Sequence, residues 1–517
     1  MTDEYTAITF APVQGFIEKS RKLRDLYGSS FILSYLAREL CEEAKRYLEN
    51  ADAIISPAII NLTQGTPNQI LIRGNFPEKD AKKALNNTWK GITQGCRTWI
   101  EQQLPNKYCW QNEWNAWANH AWEFFWQQGD SISNVRQELN NTKRARDWTG
   151  INWQGESSTL SGADAIAFPS MSLNLSPKEQ SAEISKFYNQ LGTISSLGEA
   201  FVDATEQLSI PELIKRLITY KEVKSYLNIS SERIPDVEIP QTFRNLSRFE
   251  DNRWTGWFQG DGDSIGNHLR SLADAGDESA ALNKFSYKMV NWAKDSLIPS
   301  VKKNNGRIIY AGGDDFLGVF YRTTPEPKLK VTEVLHWLYQ FEPKVWKAHG
   351  ENITVSVGFV WTAAGVPQRD VLQHCKEAEQ SAKKHGRNRT ALRVLFNGGN
   401  YIEWVCPWQF LEQILENYCD RNGNKGFANK PNWTHIYNDV AALESRHAFA
   451  GKQSEVALGL FNIYFANASN ILESNLWNAD TESGILGNKN PKQCEHQAIN
   501  NWIINLAKVG FHLCSDT

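Results

Sequence analysis

The chain has 517 residues, of which 41% are hydrophobic and 22% charged, and its net charge is −3. That length exceeds what one hydrophobic core supports, so several domains are expected, and the composition is that of a soluble globular protein rather than a disordered or fibrous one. The near-neutral charge excludes nucleic-acid binding through bulk basicity and leaves only local patches; with no apolar run of membrane-spanning length and no signal-peptide pattern in MTDEYTAITF, a cytoplasmic protein without a membrane partner is predicted.

The first 130 residues predict an α/β layer. A strand over 5–10 precedes helices over about 14–25 and 28–49, apolar strands at 53–60 and 68–74, a helix near 78–104 and a closing strand at 123–128. This β-α-β-β-α-β order predicts a ferredoxin-like domain. Arg21, Lys22 and Arg24 lie on its early helical stretch, as a solvated face or as a contact to nucleotide or RNA. Residues 131–250 read as mostly helical, and the basic cluster KRARDW at 143–148 is either merely exposed or turned toward RNA. The eight cysteines are scattered without a CxxC pair, so they read as small buried hydrophobes in a reducing compartment.

Residues 254–269 read WTGWFQGDGDSIGNHL. A strand through Trp257 and Phe258 runs into Asp261, Gly262 and Asp263, and a helix beginning near Ser264 can aim N–H groups at an anion. Alone, DGD also fits a calcium loop or a plain turn. Residues 307–320, RIIYAGGDDFLGVF, place Gly312, Gly313, Asp314 and Asp315 between two apolar strands. The glycines permit a tight hairpin, but adjacent carboxylates beside an apolar sheet repel each other and need either solvent or a cation. Together the two stretches place Asp261 and Asp314 on neighbouring strands. Two carboxylates there can hold one or two Mg²⁺ (or Mn²⁺) ions beside a space for phosphates, the arrangement of two-metal phosphoryl transfer.

A strand over 353–360 leads into a helix, a turn and a strand over 366–394, where AKKHGRN sets Lys383, Lys384 and Arg387 at a helix end. These are basic residues favoured by the helix dipole, or lysines that steady a triphosphate. Beyond residue 400 the segments 403–418, 438–450, 456–472 and 498–513 read as helices of a C-terminal bundle, with a polar loop at 479–492.

The order DGD, GGDD, AKKHGRN resembles the GGDEF-like palm of nucleotide cyclases and of the polymerase-like large subunit of type III CRISPR effector complexes. The stretch ITFAPVQGFIEKSRKLRDLYGSSFILSYLA (8–37), with Pro12-Val13-Gln14, RKLRDL and GSS before an apolar helix, is similar to the first palm of that subunit in its Cmr-type form. The resemblance implies an α+β protein of two facing palms. The first, 1–130, lacks DGD and GGDD and is expected to be catalytically silent but able to bind nucleotide; the second, 251–398, carries catalysis. Residues 131–250 form a helical middle domain, and 399–517 a helical bundle that meets the small helical subunit. Where family members carry zinc-binding cysteines this chain has Ser158 and Ser161, so no zinc is expected. The first palm starts almost at residue 1 and none of the ten histidines precedes an aspartate, so no HD nuclease and no DNA cleavage are expected.

The resemblance further implies that Asp261, Asp314 and Asp315 are the catalytic metal ligands. Gly262, Asp263, Ser264, Gly312, Gly313, Lys383 and Lys384 would hold ATP, and the product would be cyclic oligoadenylate, made when guide RNA pairs with target RNA within a complex of several subunits. The alternatives are a scaffold subunit with an idle polymerase fold, a free-standing cyclase, and AMP transfer from ATP to another small molecule.

Overall fold

The computed structural model describes residues 4–514 except 21–22, 63–64, 146–150, 198–200, 203–204, 225–252, 275, 323–326, 451–452, 481 and 491–493. Arg21, Lys22, the end of the basic cluster at 143–148 and residues 225–250 of the expected middle domain therefore lie outside the described residues. The chain divides into two compact units, one of residues 1–246, 269–290 and 309–313, the other of residues 247–268, 291–308 and 314–517.

In the first unit, strands β1 (Tyr5–Ala11), β2 (Ile54–Ser56), β3 (Ile70–Arg73) and β4 (Glu123–Gly129) form a sheet of order β2-β3-β1-β4. β1 pairs antiparallel on both sides, with Thr6 opposite Ile72 and Gln128. The helices Leu23–Tyr47 and Glu78–Gln103 supply the connections and complete the β-α-β-β-α-β order. The second of these begins after Pro77 with Glu78 and Asp80 in its first turn, where acidic groups suit the dipole. It buries Ala81, Leu85, Trp89, Ile92, Cys96 and Trp99, a three-to-four-residue spacing that lays one stripe against the core.

The expected helix over 14–25 is interrupted: one helix spans Gln14–Glu18 and the next begins at Leu23. The cause lies about two hundred residues along the chain. The buried Lys215 ammonium donates to the carbonyl oxygens of Phe16 (2.5 Å) and Lys19 (2.8 Å), engaging acceptors that a continuing helix would use. Beside it Arg216 makes a two-pronged contact with Asp25 (2.8 and 2.9 Å) and a third bond to Glu206 (2.8 Å), all three residues being buried. Ser158 donates to the Glu212 carboxylate at 3.1 Å and lies 3.4 Å from the Ser161 hydroxyl. Polar bonds as well as apolar packing thus fasten this segment to the helix Ile210–Leu217. The described helices between 131 and 224 are Ile132–Arg144, Pro177–Gly192, Ile210–Leu217 and Lys221–Lys224, while 151–176 runs as turns and isolated bridges.

Strands β5 (Thr255–Gly262), β6 (Gly306–Ala311), β7 (Phe316–Phe320), β8 (Val355–Thr362), β9 (Arg389–Leu395) and β10 (Tyr401–Pro407) form a six-stranded sheet of order β10-β9-β8-β5-β7-β6. β5 lies antiparallel between β7 and β8, and β8 runs parallel to β9 through the crossover helix Gln368–Lys384. β8 and β9 are buried along their whole length, as strands covered on both faces are. Phe258, Phe316, Phe320, Trp337 and Phe341 pack ring against ring and anchor β5 to β7.

β10 differs from the helix expected over 403–418. Its whole length pairs with β9, from Tyr401 opposite Leu395 to Pro407 opposite Arg389, and Pro407 then starts the helix Trp408–Asn417 from an extended conformation. The apolar run EWVCPW cannot by itself distinguish strand from helix; the available partner strand decides it. The helix expected over 456–472 is likewise split into Glu455–Tyr464 and Ser469–Ser474. Glu495–Cys514 contains the helix expected over 498–513, whereas the one expected over 438–450 is Thr434–Ser445, its last five expected residues forming turns. Among the described residues no helix is long and apolar enough to cross a membrane.

Candidate active site

The register of β5 on β7 sets the site. Gly256 lies opposite Phe320 and Gly260 opposite Phe316. Continued by one residue, that register sets Asp315 across from Asp261; continued by two, it sets Asp314 across from Gly262. A β-carbon at Gly262 would come within 2.7 Å of Ile265 Cδ1 and 3.0 Å of Asp314 Cβ, so the absence of a side chain is what lets Asp314 lie against the strand end. Gly312 and Gly313 occupy the hairpin turn, and Gly313 has φ +119°, a backbone conformation that side chains rarely allow. Asp314 and Asp315 follow immediately.

The three carboxyls interact. Both Asp314 and Asp315 are hydrogen-bonded to Asp261. Burial, then the Asp261 charge, pushes Asp314 up from 3.8 to about 6. Surrounding protein, then the bond to Asp261 and its charge, pushes Asp315 up as well; this residue opens to solvent, which moderates the push. Lys383, near the end of the helix Gln368–Lys384, pairs with the Asp261 carboxylate and, at 2.7 Å, with Glu379 Oε1 one turn earlier. Burial disfavours its charge, but the two carboxylates outweigh that and hold the ammonium above its ordinary range.

Asp263 sits in the same loop but turns away. Its carboxylate accepts from Thr354 Oγ1 (2.8 Å), Ser356 Oγ (2.7 Å) and the Asn388 backbone N–H (2.9 Å), and the residue is buried. It ties the DGD loop to β8 and to the turn after Lys383, where Gly386, Arg387 and Asn388 all have positive φ. Ser264 is exposed, with φ +56°, immediately before the helix Ile265–Asp274; that left-handed backbone costs a non-glycine residue about 1 kcal/mol. Lys384 is exposed, so of the two lysines it is Lys383 that reaches the carboxylates. Glu379 was not among the residues picked out from the sequence; its signal is the Glu-to-Lys spacing of four on one helix.

The donor set suits a hard divalent cation. Among the described residues no three His, Cys, Asp or Glu side chains enclose a metal position by themselves. Mg²⁺ seldom needs such a cage: it takes one or two carboxylates and completes its shell with water and substrate phosphates. Asp261 and Asp314, with Asp315 beside them, are carboxylates of the kind such an ion takes, and their fit is that of a candidate site only. An open cavity of about 1190 Å³ in the first unit, lined by Arg38, Glu42, Lys45, Arg73, Ser279 and Asn283 among others, contains none of these residues and carries both signs of charge.

Residues 255–391 match the family model described as Cas10/Cmr2, second palm domain, and residues 5–94 match that of CRISPR-associated protein Cmr2, N-terminal. The fold is similar to that in the cryo-EM structure of type III-B Cmr-beta in the apo state, with a TM-score of 0.58 and 12% identity over 99% of this chain and 82% of the other. It is also similar to type III-B Cmr-beta bound to cognate target RNA, with a TM-score of 0.57 and 10% identity over 99% and 83% of the respective chains. No curated protein matches the sequence. Two separate stretches of the chain thus match models of Cas10/Cmr2 domains, which together with the fold supports a Cas10-type large subunit of type III CRISPR complexes.

Proposed function

We propose that the chain is the nucleotidyl-transferring large subunit of a Cmr-like type III effector complex, making cyclic oligoadenylate from ATP when guide RNA pairs with target RNA. The observation that carries this reading is the convergence of Asp261, Asp314 and Asp315 with Lys383 at the adjoining ends of β5 and β7. In this reading both sheets belong to ferredoxin-like palms, residues 131–250 are a middle domain without zinc, and 399–517 a C-terminal bundle. The partners are the other subunits, guide RNA and target RNA, and the complex is cytoplasmic.

Asp261 and Asp314, assisted by Asp315, would hold Mg²⁺ or Mn²⁺. When bound, the metal lowers the pKa of the attacking ribose hydroxyl and neutralises charge on the departing pyrophosphate. The chain's own groups orient the substrate. Lys383 donates to the triphosphate, Gly313 leaves the backbone open to close approach, Gly262 lets Asp314 lie against the strand end, and Asp263 keeps the DGD loop and the 386–388 turn in fixed register. The acceptor hydroxyl then attacks the α-phosphate in line and pyrophosphate leaves.

The test is mass spectrometry of the products formed from ATP by the assembled complex, with and without complementary RNA. Cyclic oligoadenylate and pyrophosphate are expected only with the RNA, and Asp314→Ala combined with Asp315→Ala abolishes both while the complex still assembles. Turnover by the double variant at the wild-type rate refutes the site; an AMP conjugate of another small molecule replaces the assigned product.

A further inference from the structure

We infer that Lys383 is a resident counter-cation that keeps Asp261 occupied until a triphosphate arrives, and that Glu379 is the positioning residue on which it pivots. The inference rests on the reading above and deepens it: metal and triphosphate enter this site cooperatively rather than independently.

The two acidic partners of Lys383 are unequal. Glu379 lies one helical turn before it and is only 6% exposed, with its Oε1 2.7 Å from the ammonium. A carboxylate so buried has little access to water and cannot give up its cation without a large desolvation cost. The Asp261 side chain is 24% exposed, that of Lys383 28%, and Asp261 is also hydrogen-bonded to Asp314 and Asp315. When the ammonium is drawn away, Asp261 is therefore the partner released and Glu379 the one retained. Glu379 confines the ammonium to a short arc beside the site, between the Asp261 carboxylate and the space above it.

This geometry makes the two ligands depend on each other. A divalent ion arriving alone competes with Lys383 for the Asp261 oxygens and is repelled by the ammonium. A triphosphate offers Lys383 other oxygens, and the Asp261 carboxylate is freed at the moment phosphates arrive to complete the metal shell. By linkage the effect is reciprocal: metal on Asp261 sends Lys383 toward the phosphates and tightens the nucleotide.

The test uses the purified full-length chain and Mn²⁺, whose free concentration is counted by electron paramagnetic resonance, alone and with saturating α,β-methylene-ATP. Wild type is expected to bind Mn²⁺ weakly alone and at least about tenfold more tightly with the analogue. Lys383→Met removes the competing cation, so it should bind Mn²⁺ alone more tightly than wild type by about tenfold and lose most of the response to the analogue. Lys383→Arg keeps the charge and should keep the wild-type pattern. Glu379→Gln leaves Asp261 as the sole carboxylate on Lys383, so Mn²⁺ alone should bind several-fold more weakly than in wild type. Thermal melting of each variant checks the fold; a merely structural role for Glu379 would lower the melting point without this change in metal affinity. If wild type takes up Mn²⁺ with the analogue while Lys383→Met binds the bare ion no more tightly, or Glu379→Gln matches wild type, the counter-cation inference is overturned and the metal site stands. If wild type takes up no Mn²⁺ even with the analogue, the proposed function falls, and this inference with it.

Discussion

Replacing Asp263 by alanine separates the structural carboxylate of the DGD loop from Asp261, the one proposed to bind ligand. Its side chain receives hydrogen bonds from two hydroxyls and one backbone N–H at 2.7–2.9 Å, and the residue is 4% exposed. Bonds to a charged acceptor are worth about 1.5–3 kcal/mol each, and a buried donor left without a partner costs about 1–3 kcal/mol. The Thr354 and Ser356 hydroxyls can rotate toward other acceptors. The Asn388 N–H cannot, because it is held in a turn whose three residues have φ of +115°, +64° and +51°. Part of the loss is offset because a buried charge no longer has to be desolvated. The balance is a destabilisation of about 3 kcal/mol for Asp263→Ala, with Asp263→Asn only partly restoring it, since one of its ends is a donor facing donors. Because the chain has two compact units, the measurement is native-state hydrogen exchange at the Asn388 and Asp263 amides alongside urea unfolding followed by tryptophan fluorescence. Early loss of protection at Asn388 is the expected result. Stability within about 0.5 kcal/mol of wild type, together with lost binding of an ATP analogue, would refute the reasoning and make Asp263 a ligand.

Asp314 gives a pH-dependent prediction. Its folded pKa of about 6 exceeds its ordinary value of 3.8, so its contribution to stability is full below 3.8 and is lost as pH rises through about 6. Asp314→Asn, which cannot ionise, should therefore gain on wild type by about 1–3 kcal/mol between pH 4 and pH 7 in metal-free buffer; equal gaps in denaturation midpoint at the two pH values would contradict the raised pKa. Arg216→Met leaves Asp25 and Glu206 buried without their cation and should destabilise the first unit by about 3–5 kcal/mol, read by urea unfolding. Gly262→Ala drives a methyl toward Ile265 and Asp314, so it should depress ATP turnover by the assembled complex while moving the melting midpoint little.

How far the site can be read from sequence depends on where each constraint originates. Asp261 and Asp314 could be brought together in advance because both strands are locally marked, and the hairpin between GGDD and its flanks leaves few choices of register. Lys383 was legible from a helix end. The role of Asp263 was not, since its donors come from residues 91 to 125 positions away, just before β8, on β8 and in the 386–388 turn. The break after Glu18 is similarly set by Lys215, and β10 by pairing with β9, and neither leaves a mark in the local pattern. Glu379 does leave one, the four-residue spacing to Lys383, but that spacing ordinarily describes a solvated pair on a helix surface. Burial beneath the carboxylates gives it a different meaning, and burial is a property of the fold rather than of the segment.

The same electrostatics bear on whether the palm is an idle scaffold. Asp261, Asp314, Asp315 and Glu379 gather around one lysine, and the metal-free chain tolerates them by holding two of the aspartates toward their protonated forms and by dividing one ammonium between two acids. None of this benefits folding: apolar or amide groups at Asp314 would remove repulsion and stabilise the sheet end. Groups kept at a cost to stability are those whose chemistry the native state uses, because stabilising substitutions are otherwise easy to find. The decisive combination is therefore a single variant, Asp314→Asn, that makes the metal-free chain more stable above about pH 6 and at the same time removes ATP turnover. An idle scaffold predicts the first effect without the second, since there would be no turnover to remove, and a site that matters only for folding predicts the reverse sign of the first.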